Sequence, residues 1–472
     1  MSRLGSSIAG AVLASLFTAS PALAHGVQGR ADTPVPISVF FYAAAGVVIV
    51  SFAALAVGWS RPRWDFVGWR PAPRALQVVT SGPVVATLRA FVLAAMLFVL
   101  AAAAFGSTIL NQNIAPLTIF VVWWVGLVPL SLLFGNVWRE INPWATITRA
   151  LRAERRSARP YPQSWGLWPA ALLMLGVAWC ELVYPTAANP RLIAAICVGY
   201  SILTVAGMLR YGVDDWLDRA EVFSVYTGMI ARLSPWELRR DGEDRRLGVR
   251  PPLIGVTRIE PQPGLVAFVV ALIAAVSFDG LSGTDFWAAR DVAATERVIE
   301  LGIEPFWAGI VVATIGLLLI FALAFAAFAI AAGVAAGVAH RARGGLAEAF
   351  AHSLVPIAVG YSVAHYFTLF VFQSQDLIRL VSDPFGTGAD WFGTAGHAID
   401  FNLVTPNLIW AVQVAAIVGA HVLALVLAHD RALQLAGHSR SAVRSQYPML
   451  ALMVVLTVSG LWFLSEGMNE AT

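Results

Sequence analysis

Ten runs of about 20 apolar residues dominate this sequence, near 37–59, 85–106, 115–135, 166–184, 191–209, 264–281, 307–339, 354–374, 405–428 and 447–465. A helix of that length crosses the hydrocarbon core of a bilayer. In lipid only helices and closed barrels pair all their backbone polar groups. Of the 472 residues, 58% are hydrophobic and 12% are charged, about half the charge of a soluble domain. So little charge cannot cover a water-facing surface. The expected fold is therefore all-α, a polytopic transmembrane helical bundle of about ten spans. The run at 307–339 is long enough for a tilted, extended or broken helix.

The N-terminus carries processing signals. Arg3 supplies a positive n-region, Ile8 to Phe17 an apolar stretch too short to span, and Ala22-Leu23-Ala24 an A-x-A cleavage site. These predict a signal peptide at 1–24 and a single transmembrane domain over 25–472, with His25 as the mature N-terminus.

Charge placement tests the span map, because short cytoplasmic loops collect arginine. The loops at 60–84, 136–165, 210–263, 340–353 and 429–446, with Arg89, hold 25 of the 31 Arg. The alternate segments hold Arg30, Arg191, Arg290, Arg297 and Arg379 and are otherwise acidic, from Asp279 and Asp285 through Glu304 to Asp400. This phase predicts a bacterial-type inner membrane protein with both mature termini periplasmic. Its cytoplasmic loop lies at 210–263 and its periplasmic segments at 279–305 and 373–405. Within the cytoplasmic loop, Glu221 to Leu233 reads as an amphipathic stretch on the membrane surface, and the charge run 239–246 as a solvated turn.

Several chemistries are excluded. All basic residues are Arg, so lysine Schiff-base chemistry and a P-loop are ruled out. There is no Ser nucleophile elbow, HExxH or CxxC, and Cys180 and Cys197 read as small buried hydrophobes. The net charge of +3 calls for no nucleic-acid partner. The bilayer is the implied partner, and a second membrane subunit stays open.

Ionisable residues inside a bilayer are costly and become functional candidates. His365 lies in the eighth run, Gln413 and His421 in the ninth, and Glu181 near the outer end of the fourth. Counted at about 1.5 Å per residue along antiparallel spans, Gln413 falls near the depth of His365. His421 lies about two turns away, and His352 and His429 lie near the inner face. One haem or metal between His365 and His421, a proton or substrate path, and plain interhelical hydrogen bonding all fit. Two bis-histidine haems do not, because His352 and His365 are off a common stripe. On the outer face Glu296, Glu300 and Glu304 would form a carboxylate stripe on a helix. His397 and Asp400, with His25 and Asp32, would make a divalent-metal site.

Across nearly the whole chain the sequence resembles a family of bacterial multispan membrane proteins labelled fenitrothion hydrolase. The matching stretches include His25-Gly26, Asn142-Pro143-Trp144, Phe278-Asp279-Gly280-Leu281 and His352-Ser353-Leu354-Val355-Pro356. Others are Ala364-His365-Tyr366, Ser382-Asp383-Pro384, Gly419-Ala420-His421 and Ala428-His429-Asp430-Arg431. The resemblance implies a component of a system that hydrolyses organophosphate triesters, releasing a nitrophenol. Such chemistry usually uses a metal to activate water. The HxH pair of the soluble enzymes is absent from the sequence, and no catalytic residue carries over.

Overall fold

Proline sets where many of the apolar runs begin to coil. Pro83, Pro169, Pro190, Pro305, Pro356, Pro406 and Pro448 stand at the first or second position of their helices. There the missing N–H has no helical partner to lose and φ is already helical. The computed structural model describes residues 37–64, 68–151, 159–241, 244–338, 345–436 and 439–469. The expected signal peptide at 1–24 and the candidates His25 and Asp32 lie outside them.

The principal helices are α1 (Ile37–Gly58), α2 (Gly82–Phe105), α3 (Ile114–Phe134), α4 (Trp168–Leu182), α5 (Pro190–Tyr211), α6 (Val222–Ala231), α7 (Leu265–Ser282), α8 (Asp285–Glu300), α9 (Pro305–Val338), α10 (Val355–Gln373), α11 (Pro406–Ala436) and α12 (Tyr447–Asn469). Among the described residues nine spans are long and apolar enough to cross a membrane, and α4 is a shorter apolar helix of 15 residues. Together they account for the ten expected runs. The long run near 307–339 forms one unbroken helix of 34 residues. Burial singles out α7, whose apolar window is 94% buried, as the helix around which the others pack.

Hydrogen bonds gather the loops into two sets. On one face, Glu140 meets Arg89, Arg240 and Arg245, while Arg139 pairs with Asp214 and Asp218. On the same face Asp430 accepts from Trp59 Nε1 and the Arg63 N–H. On the other, the Ser107 N–H donates to Phe385 O, the Ile114 N–H to Pro384 O, and Arg379 to Asn111 O. The first set draws on arginine-rich loops, and the second on the acid-rich segment near 373–405.

Three local expectations are overturned. The charge run expected as a solvated turn instead builds strands β2 (Trp236–Asp241) and β3 (Asp244–Val249), which with β1 (Arg70–Pro71) make an antiparallel sheet in the order β1-β3-β2. Gln77 clamps the Leu247 backbone through both N–H and C=O, and Trp69 packs where a Cβ on Gly248 would sit. The stretch from Glu221, expected on the membrane surface, forms α6, which is buried along most of its length. Its apparent amphipathicity comes from small polar residues, Ser224 and Thr227, that bond inside the bundle. The acidic stripe also breaks: α8 ends at Glu300, and Gly302, at φ 91°, turns the chain before Glu304.

Candidate functional site

Asp279 enters the interior because α7 carries it in its last turns, before the chain reaches the acid-rich loop at Gly283. It is 2% exposed. From α10, His365 Nε2 lies 2.9 Å from Asp279 Oδ2, and the Tyr366 hydroxyl donates to the same oxygen at 2.9 Å. Facing a carboxylate, Nε2 carries the ring proton, which leaves Nδ1 as the basic nitrogen. The neighbouring His365 and Tyr366 rings meet edge-on at 4.8 Å, so consecutive residues on α10 grip one carboxylate. His365 is the accessible member, with its side chain 18% exposed against 3% for Asp279.

A second acid faces this cluster. Glu181 of α4 lies within electrostatic range of Asp279. Together with Trp124, Tyr226, Ser362 and Tyr366 it lines an enclosed cavity of about 20 Å³. That is room for roughly one water. Tyr226 of α6 shares this cavity with Ser362 and stacks on Trp124 at 5.3 Å. Trp124 reaches it from a π-helical stretch of α3, Leu117–Val125, the kind of widened turn that recurs at functional sites. Two carboxylates, an imidazole and two phenols thus converge where α3, α4, α6, α7 and α10 meet.

The other candidates are held separately. Gln413 Nε2 donates to Ala364 O at 3.0 Å, which places Gln413 at the depth of His365, as the count along the spans predicts. His421 is fully buried, donates from Nδ1 to Ile417 O at 2.8 Å, and lies beside the Tyr361 ring at 6.0 Å. His365 and His421 therefore have different hydrogen-bond partners, Asp279 for the first and Ile417 O for the second. His352 donates to Ala349 O. Both ring nitrogens of His429 are engaged, Nδ1 3.0 Å from the Gln446 side-chain amide and Nε2 2.9 Å from Trp59 O. His397 and Asp400 sit in an irregular loop rather than on a helix face, where Asp400 Oδ1 caps the Asn402 N–H. Among the described residues no three His, Cys, Asp or Glu side chains form a metal-ligand group.

Sequence reasoning singled out His365 and Glu181, which the structure brings near one another, but left Asp279 among the outer acids and did not single out Tyr366. A signal existed: Asp279 interrupts the end of an apolar run, two residues after Ser277, while the acidic residues that follow it lie in open polar sequence.

Fold and site define a polytopic helical membrane protein with a carboxylate–imidazole–phenol cluster buried among its helices. Comparison with protein-family models, curated proteins and solved structures returns no match, so this class rests on the geometry itself.

Proposed function

We propose that the protein transfers protons within the membrane, through Asp279, His365 and Tyr366 with Glu181 as a second acid, in support of proton-coupled transport of a small solute. The observation that carries this reading is the contact of the buried Asp279 carboxylate with both the His365 imidazole and the Tyr366 hydroxyl. An imidazole has two ring nitrogens and can take up a proton at one while releasing a proton from the other. Intramembrane carboxylates and histidines of this kind serve as proton relays. A cavity of about 20 Å³ matches water and protons, whereas drug-sized ligands occupy roughly 300–1,000 Å³. In this reading the arginine-rich face is cytoplasmic.

The test is proton flux into liposomes that carry the purified chain and an internal pH dye. Asp279→Asn is expected to lower flux by about 10²-fold, the usual contribution of a positioned acid or base. Equal flux from Asp279→Asn and the unaltered chain sinks the proposal.

The hydrolase that the resemblance implies is a second reading, favoured by the Asp279–His365 pair. An aspartate-oriented imidazole is a general base able to take a proton from water attacking phosphorus, and His365 is reachable from outside the cluster. Nitrophenol release from fenitrothion by the same liposomes, lost in His365→Ala, would favour it over proton transport.

A further inference from the structure

A cleft of about 730 Å³ runs between α2 and α5, lined by Leu97, Ala101, Phe105, Ala194, Val198 and Ile202 among others. Small residues hold it open, and a Cβ on Gly199 would meet nothing within 4 Å. From Leu97 to Phe105, and from Ala194 to Ile202, the walls extend eight residues, about 12 Å. One leaflet of the hydrocarbon core is about 15 Å deep. A neighbouring transmembrane helix would need a groove along the full thickness, whereas a single acyl chain needs this depth.

The end of the cleft at the acid-rich face meets a cation. Arg191 is the second residue of α5, is exposed, and donates to Ala103 O at 3.3 Å and to Gly106 O at 3.1 Å, at and just beyond the end of α2. A guanidinium has five N–H groups, so donors remain. No carboxylate pairs with Arg191 among the described residues, whereas Arg379 on the same face is bound to Asp376. An apolar trough one leaflet deep with an unneutralised arginine at its polar end is complementary to a phospholipid.

We propose that this cleft is a binding site for one phospholipid of the leaflet at the acid-rich face, its acyl chain between α2 and α5 and its phosphate accepting from Arg191. The site does not depend on the acid–base cluster or its reading. It is tested by native mass spectrometry of the full chain released from nanodiscs of phosphatidylethanolamine and phosphatidylglycerol. The unaltered chain is expected to retain one phospholipid. Gly199→Trp and Ala195→Trp, which project into open space rather than into the core, should abolish retention. Arg191→Ala should lower it about tenfold, as for loss of a charge-assisted hydrogen bond. Retention unchanged in both tryptophan variants, or no lipid on the unaltered chain, overturns the proposal. So does a dimer of the unaltered chain that Gly199→Trp dissociates, because the cleft would then be a protein interface.

Discussion

Glu221 shows how single residues hold charge inside this bundle. It is fully buried and accepts from the Tyr200 hydroxyl at 2.5 Å, Asn142 Nδ2 at 3.1 Å and the N–H groups of Phe223 and Ser224. It caps α6 while Asn142, one of its donors, caps the helix Pro143–Ala150. Glu221→Ala would leave these donors unsatisfied at about 1–3 kcal/mol each. A loss of about 4 kcal/mol or more is expected in thermal unfolding in detergent, with Glu221→Gln losing less. Outside the spans, Asp383 is tuned the other way. Burial alone would raise its carboxyl, but the N–H groups of Thr387 and Gly388 and the Thr387 hydroxyl outweigh that and hold it below its ordinary 3.8. A lowered folded value stabilises the loop fully above 3.8, and the contribution disappears as pH falls through the folded value. Hydrogen exchange at Thr387 and Gly388, corrected for intrinsic rate, should accelerate in that acid range. In Asp383→Asn this acid-dependent change should be absent.

At the scale of elements, the site depends on how closely α10 lies against α11. A Cβ on Gly360 would fall 2.4 Å from the Ala420 Cβ and 2.7 Å from Ala416 O, so only glycine permits this crossing. Gly360→Leu is expected to cost about 1–3 kcal/mol through overpacking. It should also lower proton flux by shifting His365, while Gly419→Leu, whose Cβ position is open, should leave flux near that of the unaltered chain. This approach was not legible in the sequence, where Gly360 is one glycine among 39. The helices themselves were legible, because twenty apolar residues in lipid have few other folds. The strands were not. Their residues Arg239, Arg240, Arg245 and Arg246 have no strand periodicity, and the sheet is held by contacts far along the chain, such as Gln77 with Leu247.

For the whole molecule, depth was readable and lateral arrangement was not. Counting residues along each span placed Gln413 level with His365, but nothing in the sequence said that α7 would stand at the centre and bring Asp279 to α10. The orientation proposed from arginine counts is checked by impermeant maleimide on intact cells, in a chain with Cys180 and Cys197 replaced by Ala. Glu300→Cys should label from outside, and Arg74→Cys only after the membrane is opened. Equal labelling of both before opening refutes the assignment.

The contact between Asp430 and the Arg63 N–H spans 367 residues, and α1 packs chiefly on α11 and α12. Chains are made at about 5–20 residues per second. Ribosomes would therefore take roughly 20–70 s after the first helix has emerged to supply the helices that hold it. Through that interval α1 waits in the bilayer as an orphan, exposed to membrane proteases and insertion factors. A chain that stalls before its ninth span would leave its first one permanently undocked.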